Sequence, residues 1–141
     1  MNFTIQPMRI DDFEAVLELW NTSDGVGVNE MDTRPRIAAY LERNPGMSFV
    51  ARGADKRIVG AVLCGHDGRR GYLHHLAVAD DCRMRGIGRR LVESCFAALN
   101  DVGLVKCNIF VYASNVEGQA FWKKEGWNAR VDLLVMQKAT Q

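Results

Sequence analysis

The sequence has no run of about 18 or more apolar residues, and no basic region followed by an apolar stretch near its first residues. The first absence excludes a membrane-spanning helix and the second a secretory signal, so we expect a cytoplasmic protein with no membrane partner. An excess of positive charge is also missing, because 18 Lys and Arg residues face 17 Asp and Glu residues, for a net charge of +1. Since nucleic-acid-binding domains are normally strongly basic, we expect no nucleic-acid partner.

Paired cysteines are absent as well. The four cysteines are far apart and form no C-x-x-C pair, which excludes a zinc signature and a small disulfide framework. We therefore expect no bound metal. Three of them lie within apolar patterns, where a free cysteine behaves as a small hydrophobic residue, and they are predicted to be reduced core residues: Cys64, Cys95 and Cys107.

The 141 residues suit a single domain, 1–141, that is long enough to bury a core. Apolar periodicity and turn residues predict the element order β α α β β β α β α β. A strand–helix–strand crossover makes two neighbouring strands parallel, so the fold class is α/β, with one mixed central sheet flanked by helices. The strands are predicted at 3–7, 48–53, 58–65, 72–78, 106–112 and 127–136, and the crossover helix at 86–100.

The stretch Tyr72–Leu91 is predicted to form a strand–turn–helix unit, in which an apolar strand leads through a glycine-containing turn into an amphipathic helix. Gly86 and Gly88 let the backbone approach a ligand where that helix begins. The first N–H groups of a helix have no intrahelical partner and, together with the helix dipole, form an anion site. A phosphate-bearing ligand is therefore predicted here, with fixed positive charge from Arg83, Arg85, Arg89 and Arg90.

Three sequence features together resemble the GNAT acetyltransferase superfamily. The spacing R-x-x-G-x-G begins at Arg83, and the preceding strand ends in Leu-Ala-Val at 76–78. Asn115 is followed by Phe121-Trp122 and then by Gly126-Trp127, which is similar to the family's later signature. The resemblance covers the whole chain and is strongest over 58–127.

The resemblance implies an acetyl-CoA site without a metal. Backbone N–H groups of 84–89 would receive the pyrophosphate, and the strand would pair with pantetheine through its backbone. A backbone donor near Leu76 would polarise the thioester carbonyl where the strands 72–78 and 106–112 splay apart. Asn115 is implied as a cofactor ligand or, alternatively, as a helix N-cap. The implied cofactor-binding residues are Leu76, Ala77, Val78, Arg83, Met84, Arg85, Gly86, Ile87, Gly88, Arg89, Asn115, Phe121 and Trp122.

Transfer to an amine requires a proton acceptor, because a lysine-type amine has a pKa near about 10.4. His74 and His75 are adjacent on the strand and are expected to point to opposite faces, with Tyr72, His74 and Leu76 on one face. The family's base often lies two or four residues before this Leu, which places it at His74 or Tyr72. His74 is the first candidate because histidine titrates near neutral pH. The other candidates are His75, His66 and Glu30.

The position of the family's usual general acid departs from the pattern. Trp122 occupies the place of a tyrosine, and an indole N–H is a donor only. Either water or Tyr112 would then protonate the departing CoA thiolate, or the enzyme is slow.

We therefore expect an N-acetyltransferase that uses acetyl-CoA and acts by direct attack of a primary amine in a ternary complex. The amine belongs to a small molecule or a protein, and the chain acts as a monomer or homodimer. The alternative is a non-catalytic acyl-CoA-binding or regulatory module, which the missing tyrosine permits. Three acidic residues in the segment 23–32 offer attraction for a cationic amine: Asp24, Glu30 and Asp32.

Overall fold

The computed structural model describes residues 2–141, which form five strands and four helices. Their contacts define two compact units, the first ending at Phe110 and the second spanning Val111–Gln141. No helix among these residues is long and apolar enough to cross a membrane. In chain order the elements are β1 (Phe3–Pro7), α1 (Phe13–Asn21), α2 (Arg34–Arg43), β2 (Phe49–Gly53), β3 (Ile58–His66), β4 (Gly71–Val78), α3 (Ile87–Asp101), β5 (Cys107–Ile109) and α4 (Val116–Lys124).

The first unit is built on one mixed sheet with the strand order β1-β2-β3-β4-β5. The first four strands pair antiparallel with their chain neighbours, while β4 and β5 pair parallel. Helix α3 makes the connection between these two parallel strands. The predicted α/β class and mixed central sheet are therefore confirmed, whereas the assignment of 1–141 to a single functional domain stays a prediction.

The strand predicted at 127–136 is wrong. Residues 128–141 form neither helix nor strand, and Val131, Leu134 and Met136 are each more than 90% exposed. Apolar β-formers extend the backbone only where a neighbouring strand accepts their hydrogen bonds, and the second unit as described holds a helix but no strand. β5 is also shorter than the predicted 106–112.

One face of the sheet packs against α1 and α2. Alternate residues of β3, Ala61 and Leu63, belong to the same buried cluster as Val16 and Trp20 of α1 and Ile37 of α2. Trp20 is fully buried. Burial of each larger aliphatic side chain of the cluster, such as Val16, Ile37 or Leu63, stabilises the fold by about 1.5–3 kcal/mol.

Helix α3 packs against the opposite face and lies directly on the strand backbone. A Cβ placed on Gly60 would lie 2.9 Å from Cγ2 of Ile87 and 3.0 Å from Cδ1 of Leu91. At the other end of the helix, a Cβ on Gly71 would lie 2.5 Å from Cδ1 of Leu99. These two glycines therefore set how closely the helix approaches, and with it the position of the first turn of α3 relative to β4.

All four cysteines are free thiols, and three of them are buried. A hydrogen bond to Cys64, together with burial, raises the pKa of Cys95, and burial raises the pKa of Cys107 to about 12. Of the three predicted core cysteines, Cys64 and Cys95 are buried, whereas the prediction is wrong for Cys107, which is only partly buried; the third buried cysteine is Cys82. No group of three or more His, Cys, Asp or Glu side chains within residues 2–141 is arranged to hold a metal ion.

Candidate functional site

Strand β4 contains a bulge at the two histidines. Ala77 lies opposite Ala61 and His74 lies opposite Leu63, so three steps along β4 match two steps along β3. His75 has a φ of +56°, in the left-handed region that a non-glycine residue rarely adopts. Such a conformation costs about 1–3 kcal/mol and persists only where surrounding contacts impose it. Bulges of this kind re-aim side chains and are frequent beside active sites.

The bulge places both histidines on the α1/α2 face of the sheet. His74 is opposite Leu63, a core residue of that face, and the ring of His75 contacts Trp20 at a centroid distance of 4.9 Å. The expectation that the two histidines point to opposite faces is therefore wrong. Because the extra residue shifts the alternation by one, Ala77 rather than Leu76 shares the face of His74.

Aromatic rings surround His74. Its ring centroid is 6.4 Å from Tyr40, 6.4 Å from Tyr72 and 6.2 Å from Phe110, and the Tyr72 and His74 rings are nearly parallel. Burial lowers the pKa of His74, and the neighbouring His75 adds to this effect while Asp32 opposes it. The imidazole is therefore neutral at neutral pH and has a lone pair available.

His75 is paired with a buried carboxylate. Its Nε2 lies 2.9 Å from Oδ2 of Asp32, whose side chain is only 7% exposed. The same oxygen accepts the backbone N–H of Asn29 at 3.0 Å. Beside the imidazole, the buried indole N–H of Trp20 has no hydrogen-bond acceptor within residues 2–141. The two residues are 43 positions apart in sequence, so no local sequence pattern predicts that they form a hydrogen bond.

The other candidates from the acidic segment and the histidine set lie elsewhere. Glu30 and Asp24 are exposed, and of the three acidic residues only Asp32 is buried. His66 uses Nδ1 to accept the backbone N–H of Gly68 within its own turn at 3.0 Å. The structure therefore brings together the two β4 histidines, Tyr72 and Asp32.

The parallel pairing of β4 with β5 is short. It covers Gly71–Leu73 against Cys107–Ile109, and β4 then continues to Val78 after β5 has ended. From His74 to Val78, the β5 side of β4 has no strand partner among residues 2–141. An open edge of this kind presents backbone N–H and C=O groups to an extended, amide-containing ligand.

The first turn of α3 follows this open edge after eight residues, 79–86. Gly86 has a φ of +79°, and a Cβ built there meets no atom within 4 Å, so the helix start is open. Met84 also has a positive φ and is 97% exposed. The side chain of Ile87 is buried against Gly60, so Ile87 can offer a ligand only its backbone.

Three of the four predicted arginines lie in or beside this turn with exposed side chains. Arg83 pairs with Asp80 at 3.2 Å, and Arg89 pairs with Glu93 at 3.2 Å. Exposed pairs of this type are worth at most about 1 kcal/mol, so a phosphate can compete with them. Arg90 differs from the prediction, because its guanidinium lies 5.2 Å from the ring centroid of Phe3 instead of joining the cluster.

The second unit carries the remaining predicted residues. Oδ1 of Asn115 accepts the backbone N–H of Gly118 at 2.9 Å and caps α4, which is the alternative role that the sequence allowed. Trp122 makes edge contacts with Phe121 and Trp127 at centroid distances of 5.0 Å each. The part of these residues in binding a cofactor stays a prediction.

The chain is similar to known proteins both in sequence and in fold. The sequence model of the Acetyltransferase (GNAT) family matches residues 13–127. The chain is 31% identical over 137 residues to an acetyltransferase of Sodalis glossinidius (strain morsitans), covering 95% of this chain and 93% of the relative. It is 36% identical over 114 residues to an acetyltransferase of Pectobacterium atrosepticum, covering 79% of this chain and 77% of that protein.

A solved structure shows the same fold. The PaiA N-acetyltransferase of Thermoplasma acidophilum, solved in complex with coenzyme A, superposes with a TM-score of 0.81 at 18% identity, covering 92% of each chain. Family match, relatives and fold together support one conclusion: the chain belongs to the GNAT acetyltransferase family and is an acyltransferase enzyme.

Proposed function

We propose that this enzyme transfers an acetyl group from acetyl-CoA to a primary amine, by direct attack in a ternary complex. The observation that carries the proposal is the unpaired stretch of β4, which leads after a short connection to the open first turn of α3. An extended amide chain fits the first feature and a pyrophosphate fits the second. CoA carries both groups in one molecule.

The cofactor residues in the first unit follow from this placement. Backbone N–H groups of Met84, Arg85, Gly86, Ile87, Gly88 and Arg89 would bind the pyrophosphate, and the side chains of Arg83, Arg85 and Arg89 would add positive charge. The backbone of Leu76, Ala77 and Val78 would pair with pantetheine. Asn115, Phe121 and Trp122 are proposed as further cofactor contacts on the strength of the family resemblance alone.

The chemistry needs a donor for the developing oxyanion and an acceptor for one proton. A backbone N–H at the bulge, near Leu76, would stabilise the tetrahedral oxyanion, a role commonly worth about 3–4 kcal/mol of barrier. The amine nitrogen forms a bond to the carbonyl carbon, and the C–S bond then breaks. Water or Tyr112 would protonate the thiolate, since the indole N–H of Trp122 is a donor too weak to serve as the acid.

His74, Tyr72 and Glu30 are three of the proton acceptors that the sequence proposes, and their surroundings differ. The half-buried His74 has the lone pair of a neutral imidazole. Tyr72 lies in the same aromatic group and Glu30 in the exposed acidic segment. A cytoplasmic location and a monomeric or dimeric state are proposed from the sequence.

The proposal is tested by measuring CoA thiol release from acetyl-CoA against a panel of small amines, peptide N-termini and lysine peptides. We expect release with at least one acceptor class, and a product heavier than the amine by one acetyl group. If CoA binds in calorimetry but no acceptor releases thiol above the rate of hydrolysis, the non-catalytic acyl-CoA module is the correct function and the transfer proposal fails.

A further inference from the structure

We propose that His75, held by Asp32, is the group that takes the proton from the attacking amine, with His75 as the catalytic residue and Asp32 as its positioning residue. The inference rests on the proposed acetyl transfer. It replaces the first candidate base, His74, by His75, and it pairs His75 with Asp32, a residue that the sequence named only as part of the acidic segment. Three independent observations lead to it.

The first observation is the hydrogen bond between the two side chains. Nε2 of His75 lies 2.9 Å from Oδ2 of Asp32, which also accepts the backbone N–H of Asn29. In the neutral imidazole, this geometry places the proton on Nε2 and the lone pair on Nδ1. No group within residues 2–141 donates a hydrogen bond to Nδ1. The ring therefore keeps one nitrogen ready to accept a proton.

The second observation is the strained backbone. His75 has a φ of +56° at the bulge, directly before Leu76, where the oxyanion donor is proposed. Strain of this kind is maintained where the surrounding structure fixes the residue, here through Asp32 and Trp20.

The third observation is the buried indole N–H of Trp20, which lacks a hydrogen-bond acceptor within residues 2–141 and lies beside the His75 ring. Buried donors without an acceptor are rare in folded proteins, and a catalytic role of the surrounding site is one of the reasons for which they occur.

His74 lacks these features. Its ring is held by aromatic contacts with Tyr40, Tyr72 and Phe110, and no carboxylate of the described residues 2–141 forms a hydrogen bond with it. The titratable groups that face the His75 ring are Asp32, from the segment before α2, and His74, from β4 itself. A proton on His75 would be compensated by Asp32, whereas a proton on His74 would meet only the neighbouring imidazole and a more distant carboxylate.

His75 takes up one proton as the amide bond forms and later returns it to solvent. The neutral amine attacks the thioester carbon, and the C–N bond forms as one N–H proton moves to Nδ1 of His75. Asp32 compensates the positive charge of the resulting imidazolium. The tetrahedral intermediate collapses with cleavage of the C–S bond, the thiolate takes a proton from water, and His75 returns its proton to solvent.

The test uses variants that the left-handed backbone tolerates. His75→Gly removes the ring and relaxes the strained φ, and His75→Asn keeps a polar side chain that cannot take the proton. Lys56→Gly, in the β2–β3 turn with a φ of +67°, is the matched control for relief of strain. Asp32→Asn tests the positioning residue, with the exposed Asp101→Asn as its control.

We expect both His75 variants to lower kcat by about 10²–10⁴-fold, with the KM for acetyl-CoA within about threefold of the parent value. Added free imidazole should raise the kcat of His75→Gly at least tenfold over its value without imidazole. The acid limb of the pH–rate profile should disappear in both variants. Asp32→Asn should lower kcat and shift that limb. A kcat within threefold of the parent in His75→Gly overturns the proposal, and so does a loss of kcat without imidazole rescue and with an unchanged acid limb.

A measurement without turnover separates this inference from the proposed function. In ¹⁵N NMR of the whole protein at pH 8.5, His75 should carry its proton on Nε2 and leave Nδ1 unprotonated, and Asp32→Asn should change this tautomer. A proton on Nδ1 overturns the assignment. Parent enzyme that acetylates no amine contradicts the proposed function instead, and the NMR result still decides the state of His75.

Discussion

The substitution Gly86→Asp tests whether the start of α3 binds a phosphate. Gly86 precedes the helix with a φ of +79°, and nothing lies within 4 Å of a Cβ built on it, so a side chain fits without displacing a neighbour. The aspartate places a negative charge where the pyrophosphate is proposed. Gly86→Asn has the same shape without the charge. Gly103→Asp, at the other end of the helix and with a φ of +83°, carries the same charge and similar backbone strain away from the site.

The expected loss of affinity follows from the charge. Two unit charges about 5 Å apart repel by about 3 kcal/mol at an effective dielectric constant of about 20, and by about 0.8 kcal/mol in bulk water. The exposed helix start lies between these limits, so affinity for CoA should fall by about 1–3 kcal/mol, or roughly 5- to 150-fold. The positive-φ strain is present in both free and bound protein, and it therefore lowers stability without entering the binding free energy to first order.

Isothermal titration calorimetry with CoA measures the effect at low and at 0.5 M salt. Gly86→Asp should weaken binding by the stated factor, with a smaller difference at high salt because salt screens exposed charges. Gly86→Asn should lose less than about threefold, and Gly103→Asp should bind as the parent does. Equal affinities for Gly86→Asp and Gly103→Asp would refute the phosphate site at this helix start.

Three further predictions concern packing, pH and thiol reactivity. Gly60→Ala should lower the free energy of unfolding in urea by about 1–3 kcal/mol, because its Cβ would press on Ile87, and an unchanged value would show that α3 can move away freely. Burial lowers the pKa of His74 below its usual 6.5. Below about pH 6.5 the unfolded chain therefore binds a proton at His74 more readily than the folded chain does, and the free energy of unfolding should fall as the pH drops. His74→Gln should remove part of this fall in Tm between pH 7.5 and 5.5, and identical slopes would contradict the burial effect. Burial raises the pKa of Cys107 to about 12, so its thiolate is scarce at pH 8. Its reaction with a disulfide reagent, followed by peptide mapping, should therefore be roughly 10³-fold slower in the native protein than in the unfolded chain. Equal rates would contradict the burial of this thiol.

The sequence was informative where the pattern is local. The apolar pattern and the glycine turn at Gly86 predicted a helix at 86–100, and the structure has α3 at Ile87–Asp101. The start of α2 is equally local, because the side chain of Thr33 accepts the backbone N–H of Arg36. These features depend on residues a few positions apart, so one sequence is enough to show them.

The errors arose where distant residues decide the structure. The bulge in β4 depends on pairing with β3, and the alternation of side chains along a single strand gave no sign of it. His75 and Asp32 are 43 residues apart, so the pair appears only in the folded chain. The strand predicted at 127–136 has suitable residues but no strand partner in the second unit as described, and propensity alone does not form a sheet.

A crystal structure of the protein with CoA would show where each part of the cofactor binds. We expect the pyrophosphate at the backbone N–H groups of 84–89 and backbone hydrogen bonds between pantetheine and β4 from Leu76 to Val78. CoA bound elsewhere, or a pantetheine arm without a hydrogen bond to β4, would show that the proposed cofactor site is wrong.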